Sequence, residues 1–352
     1  MPKSVTTFLS CISILALISF LFYADNHFND YTLRIINLIA INAILAISLN
    51  LIYGFTGMFS LGHAGFMAIG AYVCAILLLS PEQKEMMWIL EPIAEPLLHL
   101  QLPFFVSVII SGLCAAIVGL LIAIPILRLG GDYLGIATLG FAEIIRIIIT
   151  NATSLTNGSL GIKGIPQSAT LWWNYGWLAF TVIFIILLLQ SNTGNVLRAV
   201  RDDEIAAKTM GINAFFYRSF SFTVGAFFAG VGGALMAALI STIDPKMFNF
   251  LLTFNILMIV VAGGLGSITG SIIGSIIITV MLEWLRIIES PFNLGSISVP
   301  EIPGLRMVVF SLLLLFIILF WRKGLMGQRE FSWNCIYRFV TRKKLSNTEG
   351  KL

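Results

Sequence analysis

The chain has 352 residues, of which 58% are hydrophobic and 11% charged, and its mean hydropathy is +0.96. A soluble domain carries about 25% charged residues, so composition excludes a soluble globular protein and points to a polytopic membrane protein. The net charge of +4 is no sign of nucleic-acid binding; it reflects the side of a membrane on which the basic residues sit.

No soluble domain fits anywhere, because the longest polar stretch is a C-terminal tail of about 30 residues. The four cysteines are Cys11, Cys74, Cys114 and Cys335. Three lie in apolar runs and one in the tail, none at metal-ligand spacing, so neither a disulfide nor a metal is expected.

The apolar run from Val5 to Tyr23 is long and lacks a small-x-small cleavage site, so it reads as a retained first span rather than a leader. Arg34–Tyr53 is the second. A glycine-rich segment, Gly54–Gly65, leads into a short third span, Phe66–Leu79. Ser80–Leu102 is a loop with Glu82, Glu85, Glu91 and Glu95. Pro103–Leu127 and Tyr133–Thr150 are spans four and five, Asn151–Tyr175 is a polar loop, and Gly176–Gln190 is span six. Phe220–Ile240 is span seven. Leu251–Ala262 and Ile268–Leu285, spans eight and nine, meet at Gly263-Gly264-Leu265-Gly266-Ser267, a broken pair expected to turn at membrane depth. Leu305–Trp321 is span ten and 328–352 a basic tail.

The expected fold is therefore all-α, a single transmembrane unit over 1–352 with about ten segments. Ten spans put both termini on one side. With the N-terminus inside, the inner segments hold Lys3, Arg128, Arg198, Arg201, Lys208, Arg218 and the eight basic residues from Arg322 to Lys351. The outer positions hold six: Arg34, Lys84, Lys163, Lys246, Arg286 and Arg306. That asymmetry predicts both ends in the cytoplasm.

The informative polar stretch is Gly194–Asn213, between spans six and seven. It contains its own helix signals. Asp202 or Asp203 can cap the first amides, and Glu204 puts negative charge at the positive helix end. Lys208 falls in the last turn and Gly211 at the left-handed position beyond it. Ile205, Ala206, Thr209 and Met210 share one face. By charge alone the stretch is a solvated loop; its apolar stripe also suits docking on another protein.

Three further groups stand out. Ser60-Leu61-Gly62-His63-Ala64-Gly65 places a histidine among small residues; a structural role is its ordinary reading, and no second ligand accompanies it. Glu143 and Arg146 lie three apart within span five, where charge is costly, either neutralising each other or lining a path. Gly266, Gly270 and Gly274 form a small-residue ridge that brings helices into close contact. No Walker A pattern occurs, and no nucleophile, metal or carboxylate set has catalytic spacing, so the chain is expected to bind no cofactor and to be no enzyme.

Arg198-Ala199-Val200-Arg201-Asp202-Asp203-Glu204-Ile205-Ala206-Ala207, followed at three residues' remove by Gly211-Ile212, resembles the cytoplasmic coupling loop of ABC importer permeases. It is nearest the LivM/LivH type for branched-chain amino acids. The general importer pattern is Glu-Ala-Ala, three residues, then Gly. Ala206, Ala207 and Gly211 match it, but Ile205 holds the Glu position and Glu204 comes one residue early, as in the narrower subfamily. Asn50–Gly70, Gly131-Asp132-Tyr133-Leu134 and the Gly263–Ser267 break also look like that family, and the resemblance covers roughly 50–327.

The resemblance implies a permease subunit that works with a second homologous permease, two cytoplasmic ATPases and an extracytoplasmic amino-acid-binding protein. The setting it implies is the lipid of a bacterial inner membrane. Arg201 to Ala207 with Thr209, Met210 and Gly211 would couple to the ATPase. Ser60, His63, Glu143 and Arg146 would line the path, and Gly263, Gly264, Gly266, Gly270 and Gly274 would pack helices. Urea and short-chain amide importers look similar at these motifs. An ATP-independent secondary transporter is the alternative of another class.

Overall fold

The computed structural model describes residues 3–89, 91–128 and 133–289, with shorter pieces between 292 and 330. The order is α1 (Lys3–His27), α2 (Asp30–Asn50), a π-helical turn (Leu51–Phe55), α3 (His63–Leu78), α4 (Pro81–Met87), α5 (Glu95–Leu98), α6 (Phe104–Ile126) and α7 (Tyr133–Asn151). Then come α8 (Thr153–Thr156), β1 (Ile162–Lys163), α9 (Leu171–Gln190), α10 (Asn192–Asp202), α11 (Glu204–Thr209) and α12 (Ala214–Ile240). The last described elements are β2 (Thr242–Ile243), α13 (Phe250–Gly263), α14 (Ile268–Glu289) and the hairpin β3 (Phe292–Leu294) to β4 (Ile297–Val299). The protein is an all-α, polytopic membrane protein. Among the described residues seven helices are long and apolar enough to cross a membrane, or eight if α3 and α4, bent by 117°, form one span. The tenth expected span, Leu305–Trp321, lies mostly outside the described residues.

The centre of the bundle is α12, packed on α2, α3 and α6. Its small residues make this possible. The Cα of Gly70 on α3 faces the backbone of Gly230 so closely that a Cβ there would sit 2.0 Å from the Gly230 carbonyl oxygen. Backbone contact of this kind replaces the hydrophobic drive that lipid removes. Phe222 packs edge-on against Phe66 of α3 and Phe228 against Phe180 and Phe184 of α9, both fully buried.

Two boundaries differ from the sequence reading. The loop 151–175 ends earlier, because α9 begins at Leu171, where Trp172, Trp173 and Tyr175 form its first turns. The half-length run before the glycine break is extended by a 3-10 turn at Pro245–Met247, so that Pro245–Gly263 reaches spanning length. The glycine turn is placed by its contacts. It contacts Asn50 and Gly54, and Gly54 O accepts a hydrogen bond from Arg201 of the polar linker, so the turn lies at the linker end of the bundle. At the opposite end β1 pairs antiparallel with β2, Ile162 opposite Ile243, tying the 151–170 loop to the end of α12.

The acidic loop after α3 is also structured. Lys84 is fully buried there, and its Nζ donates to Leu97 O and Leu100 O, both at 2.7 Å. A buried ammonium with several carbonyl acceptors keeps its charge compensated, as burial requires.

Candidate functional site

The polar linker folds as two helices, not one. α10 is amphipathic, with Leu197 and Val200 buried and Arg198 exposed. Asp203 then breaks the helix in extended conformation, and its Oδ1 accepts from Ile205 N at 2.9 Å and Ala206 N at 3.0 Å. This is an N-cap that starts α11 in a new direction. Gly211 closes it at φ 82°, in the left-handed region, and Asn213 caps α12 by accepting from Phe216 N.

α11 presents Ile205, Ala206, Thr209 and Met210 outward; Ile205 is 77% and Met210 81% exposed. Ala207 is turned inward, packed with Val200 and Ala214. It therefore anchors the helix and leaves the outer face to its neighbours. Glu204 holds the far side: its carboxylate pairs with Lys208 at 2.8 Å and Arg218 of α12 at 2.7 Å. The hydrogen bond from Lys208, with the charge of Arg218, keeps this carboxyl below the usual carboxylate range. The displaced Glu of the motif is thus spent on positioning α11 against α12.

Arg201 reaches back into the bundle. It pairs with Asp202 and donates from Nη1 to Gly54 O at 3.0 Å, in the π-helical turn that ends α2. That turn loosens the regular ladder, and the Leu51 carbonyl is satisfied instead by Thr56 Oγ1 at 2.9 Å and Ser221 Oγ at 3.4 Å.

Next to it is a residue to which no sequence pattern assigns a role of its own. Asn50 is fully buried. Its Oδ1 accepts from Gly266 N at 2.9 Å, and its Nδ2 donates to Ser267 O at 2.9 Å and Ser271 Oγ at 2.8 Å. One amide side chain thus satisfies the broken backbone between α13 and α14. Its partners lie more than 200 residues away in sequence, so no local signal marks it.

The same break is clasped from the other side. Leu325 N donates to Ala262 O and Met326 N to Gly263 O, capping the end of α13. Glu330 accepts from Ile268 N at 2.7 Å and Thr269 N at 3.0 Å, capping the start of α14. A carboxylate at a helix N-terminus meets both the free amides and the favourable dipole. Between this clasp, α9 and α10 lies a cleft of about 560 Å³ that includes Arg198, Arg201 and Glu330.

Gly263, Gly270 and Gly274 meet across α13 and α14, where a Cβ on Gly270 would lie 2.5 Å from Gly263 O. Gly264 and Gly266 take positive φ at the turn.

The four residues considered for a path fall into two pairs. Ser60 and His63 are buried at the start of α3; His63 Nε2 is hydrogen-bonded to Ser48 Oγ at 2.8 Å, and its Nδ1 is buried without a hydrogen-bond partner. Glu143 and Arg146 form an ion pair at 2.8 Å on a half-exposed face of α7, while Ala142 and Ile145 of that helix turn to α3. Their charges are satisfied by each other. No group of three or more His, Cys, Asp or Glu among the described residues could hold a metal.

The family described as branched-chain amino acid transport system, permease component, matches residues 31–318. The chain belongs to this family. It is 34% identical over 289 residues to the high-affinity branched-chain amino acid transport system permease protein LivM of Escherichia coli K12, covering 72% of this chain and 64% of that protein. The probable LivM of Methanocaldococcus jannaschii is 24% identical over 339 residues, 88% of this chain and 95% of that one. LivH of Salmonella typhimurium is 24% identical over 282 residues, 74% and 85% of the two chains. The match thus spans less than two thirds of the length of the Escherichia coli LivM. No solved structure matches the chain. The family is one of transport permeases, which translocate rather than transform their substrates.

Proposed function

We propose that this chain is a membrane-spanning permease subunit of an ATP-binding-cassette importer for branched-chain amino acids. Its membership of the permease family and the names of its LivM and LivH relatives support this reading. The observation that carries the coupling role is α11, a capped helix anchored on its inner side by Ala207 and Glu204, with Ile205 and Met210 bared on the other. In this reading α11 docks on a cytoplasmic ATPase, and Arg201 with Asp202 transmits its displacement to the end of α2. A second, homologous permease completes the path, and an extracytoplasmic binding protein delivers the amino acid. ATP is hydrolysed by the two ATPase subunits, since the chain has no phosphate-binding loop of its own; it carries no cofactor. The spans rock in alternating access, in the inner membrane of a bacterium, with ten spans and both termini inside.

Ser60 and His63 lie where α2, α3 and α13 meet, and His63 Nδ1 is the polar atom there still able to take a partner. Glu143 and Arg146 would face the second permease.

The test is Ala206→Asp. It leaves the backbone of α11 intact but carries a charge into the docking groove, an expense the partner cannot easily relieve. Normal membrane insertion with loss of ATPase co-purification and of uptake is the expected result. Full ATPase association with wild-type uptake overturns the coupling role of α11.

A further inference from the structure

Beside α11, on the flank away from Ile205, is a cavity of about 490 Å³. It is bordered by Arg128 at the end of α6, Glu204 and Lys208 of α11, Asn213, and Phe215 and Arg218 of α12. Among the described residues of the lining three cations face one carboxylate, a net of two positive charges. The carboxylate is already committed: one oxygen of Glu204 takes Lys208 and the other takes Arg218. Arg128 is exposed, the Lys208 side chain is 61% exposed, and Arg218 Nε is buried without a hydrogen-bond partner. Among the described residues the cavity is therefore short of acceptors. It opens on the same end of the molecule as the exposed apolar residues Ile205, Met210 and Phe216.

We propose that the ATPase subunit that takes Ile205 and Met210 into an apolar socket also presents an Asp or Glu side chain to this basic cavity, with Arg128 as its principal partner. The proposal rests on the reading of α11 as the docking helix. A carboxylate at this position accepts from the guanidinium of Arg128 and finds Lys208 at its side, both charge-assisted hydrogen bonds. Docking covers the cavity mouth, so these bonds form out of water, where they gain strength. The apolar face of α11 gives contact area without fixing rotation about its normal; an ion pair to one side fixes register and steers the approach. This also accounts for Glu204 being turned inward: an acidic residue facing the partner here would repel the incoming carboxylate.

The experiment measures binding of the ATPase subunits that co-purify with the wild-type permease, titrated onto the full-length permease in lipid nanodiscs at several salt concentrations. Arg128→Ala, Arg128→Glu, Arg128→Lys and Ile205→Asp are compared. Arg128 is an exposed residue at a helix end, so its variants fold. Wild-type binding should weaken as salt rises. Arg128→Ala should weaken binding about threefold to tenfold at low salt and flatten the salt dependence, in line with loss of one partly desolvated pair. Arg128→Glu should weaken it further, and Arg128→Lys should restore most of it. Undiminished binding by Arg128→Glu, with Ile205→Asp abolishing it, overturns the acidic partner and leaves α11 as the docking helix. Undiminished binding by Ile205→Asp removes the docking reading and this inference with it.

Discussion

At the scale of single residues, the molecule depends on side chains that satisfy backbone where helices are broken. Asn50 is the clearest. Replacing it by Leu keeps the volume but leaves the Gly266 amide without its acceptor and takes one donor from the Ser267 carbonyl, which keeps those of Ser271. Each orphaned buried group costs about 1–3 kcal/mol, so Asn50→Leu should lower the midpoint of thermal unfolding in detergent by several degrees; Asn50→Asp should lower it at least as much, because its second carboxyl oxygen would face the Ser267 carbonyl where the amide donor was. An unchanged midpoint for Asn50→Leu would show that the break is held by other contacts. Gly54 obeys the same constraint, because a Cβ there would fall 1.9 Å from Asn50 Oδ1. None of this was legible in the sequence. A single Asn closing an apolar run looks like an interfacial residue, and Glu330 looks like one charge in a basic tail; their partners are distant in the chain. His63 was different: its apolar surroundings and lack of a second ligand pointed to a buried structural histidine, and it is buried on Ser48.

At the scale of elements, the pattern was readable wherever periodicity or capping chemistry was local. The cap and stop of α11 follow from Asp203 and Gly211, and the spans follow from hydropathy. α10 was missed although its signal was present: Val196, Leu197 and Val200 lie on one face, but the charges at Arg198, Arg201 and Asp202 made the segment read as loop. The start of α9 was missed because aromatic residues at a membrane interface belong equally well to a loop or a first turn. The glycine ridge predicts helix contact, and its test has an internal control. A Cβ on Gly270 would meet Gly263 O at 2.5 Å, whereas one on Gly140 of α7 would meet nothing within 4 Å. Gly270→Ala should therefore force α13 and α14 apart, at a cost of about 1–3 kcal/mol, and reduce the folded fraction recovered from membranes. Gly140→Ala should be neutral or stabilise by up to about 1 kcal/mol, the difference in helix propensity. Equal recovery of the two variants, measured by fluorescence-detected size exclusion, would remove close packing at the ridge.

At the scale of the whole molecule, the contacts divide the polypeptide into two ends without reference to any membrane. Arg201 on Gly54, Asn50 on Gly266 and Glu330 on Ile268 gather the linker, the glycine turn and the start of the tail at one end. The strand pair Ile162–Lys163 with Thr242–Ile243 gathers the 151–170 loop and the end of α12 at the other. The basic residues are unevenly divided between the same two ends: Arg128, Arg198, Arg201, Lys208, Arg218 and Arg329 accompany the linker, and Arg34, Lys84, Lys163 and Lys246 lie toward the strands. Cytoplasmic loops carry the excess of Lys and Arg, so the linker end should face the cytoplasm. Single cysteines at Ser159 and Thr209 decide the matter. Both positions are exposed, and neither side chain is buried in the bundle, so both variants should fold. In right-side-out vesicles a membrane-impermeant thiol reagent should label Ser159→Cys and leave Thr209→Cys untouched until the membrane is permeabilised; a Cys335→Ser background removes the native thiol of the tail. In inside-out vesicles the order should reverse. Labelling of Thr209→Cys from the outer face would turn the molecule over, place α11 out of reach of any cytoplasmic ATPase, and end the proposed mechanism of coupling.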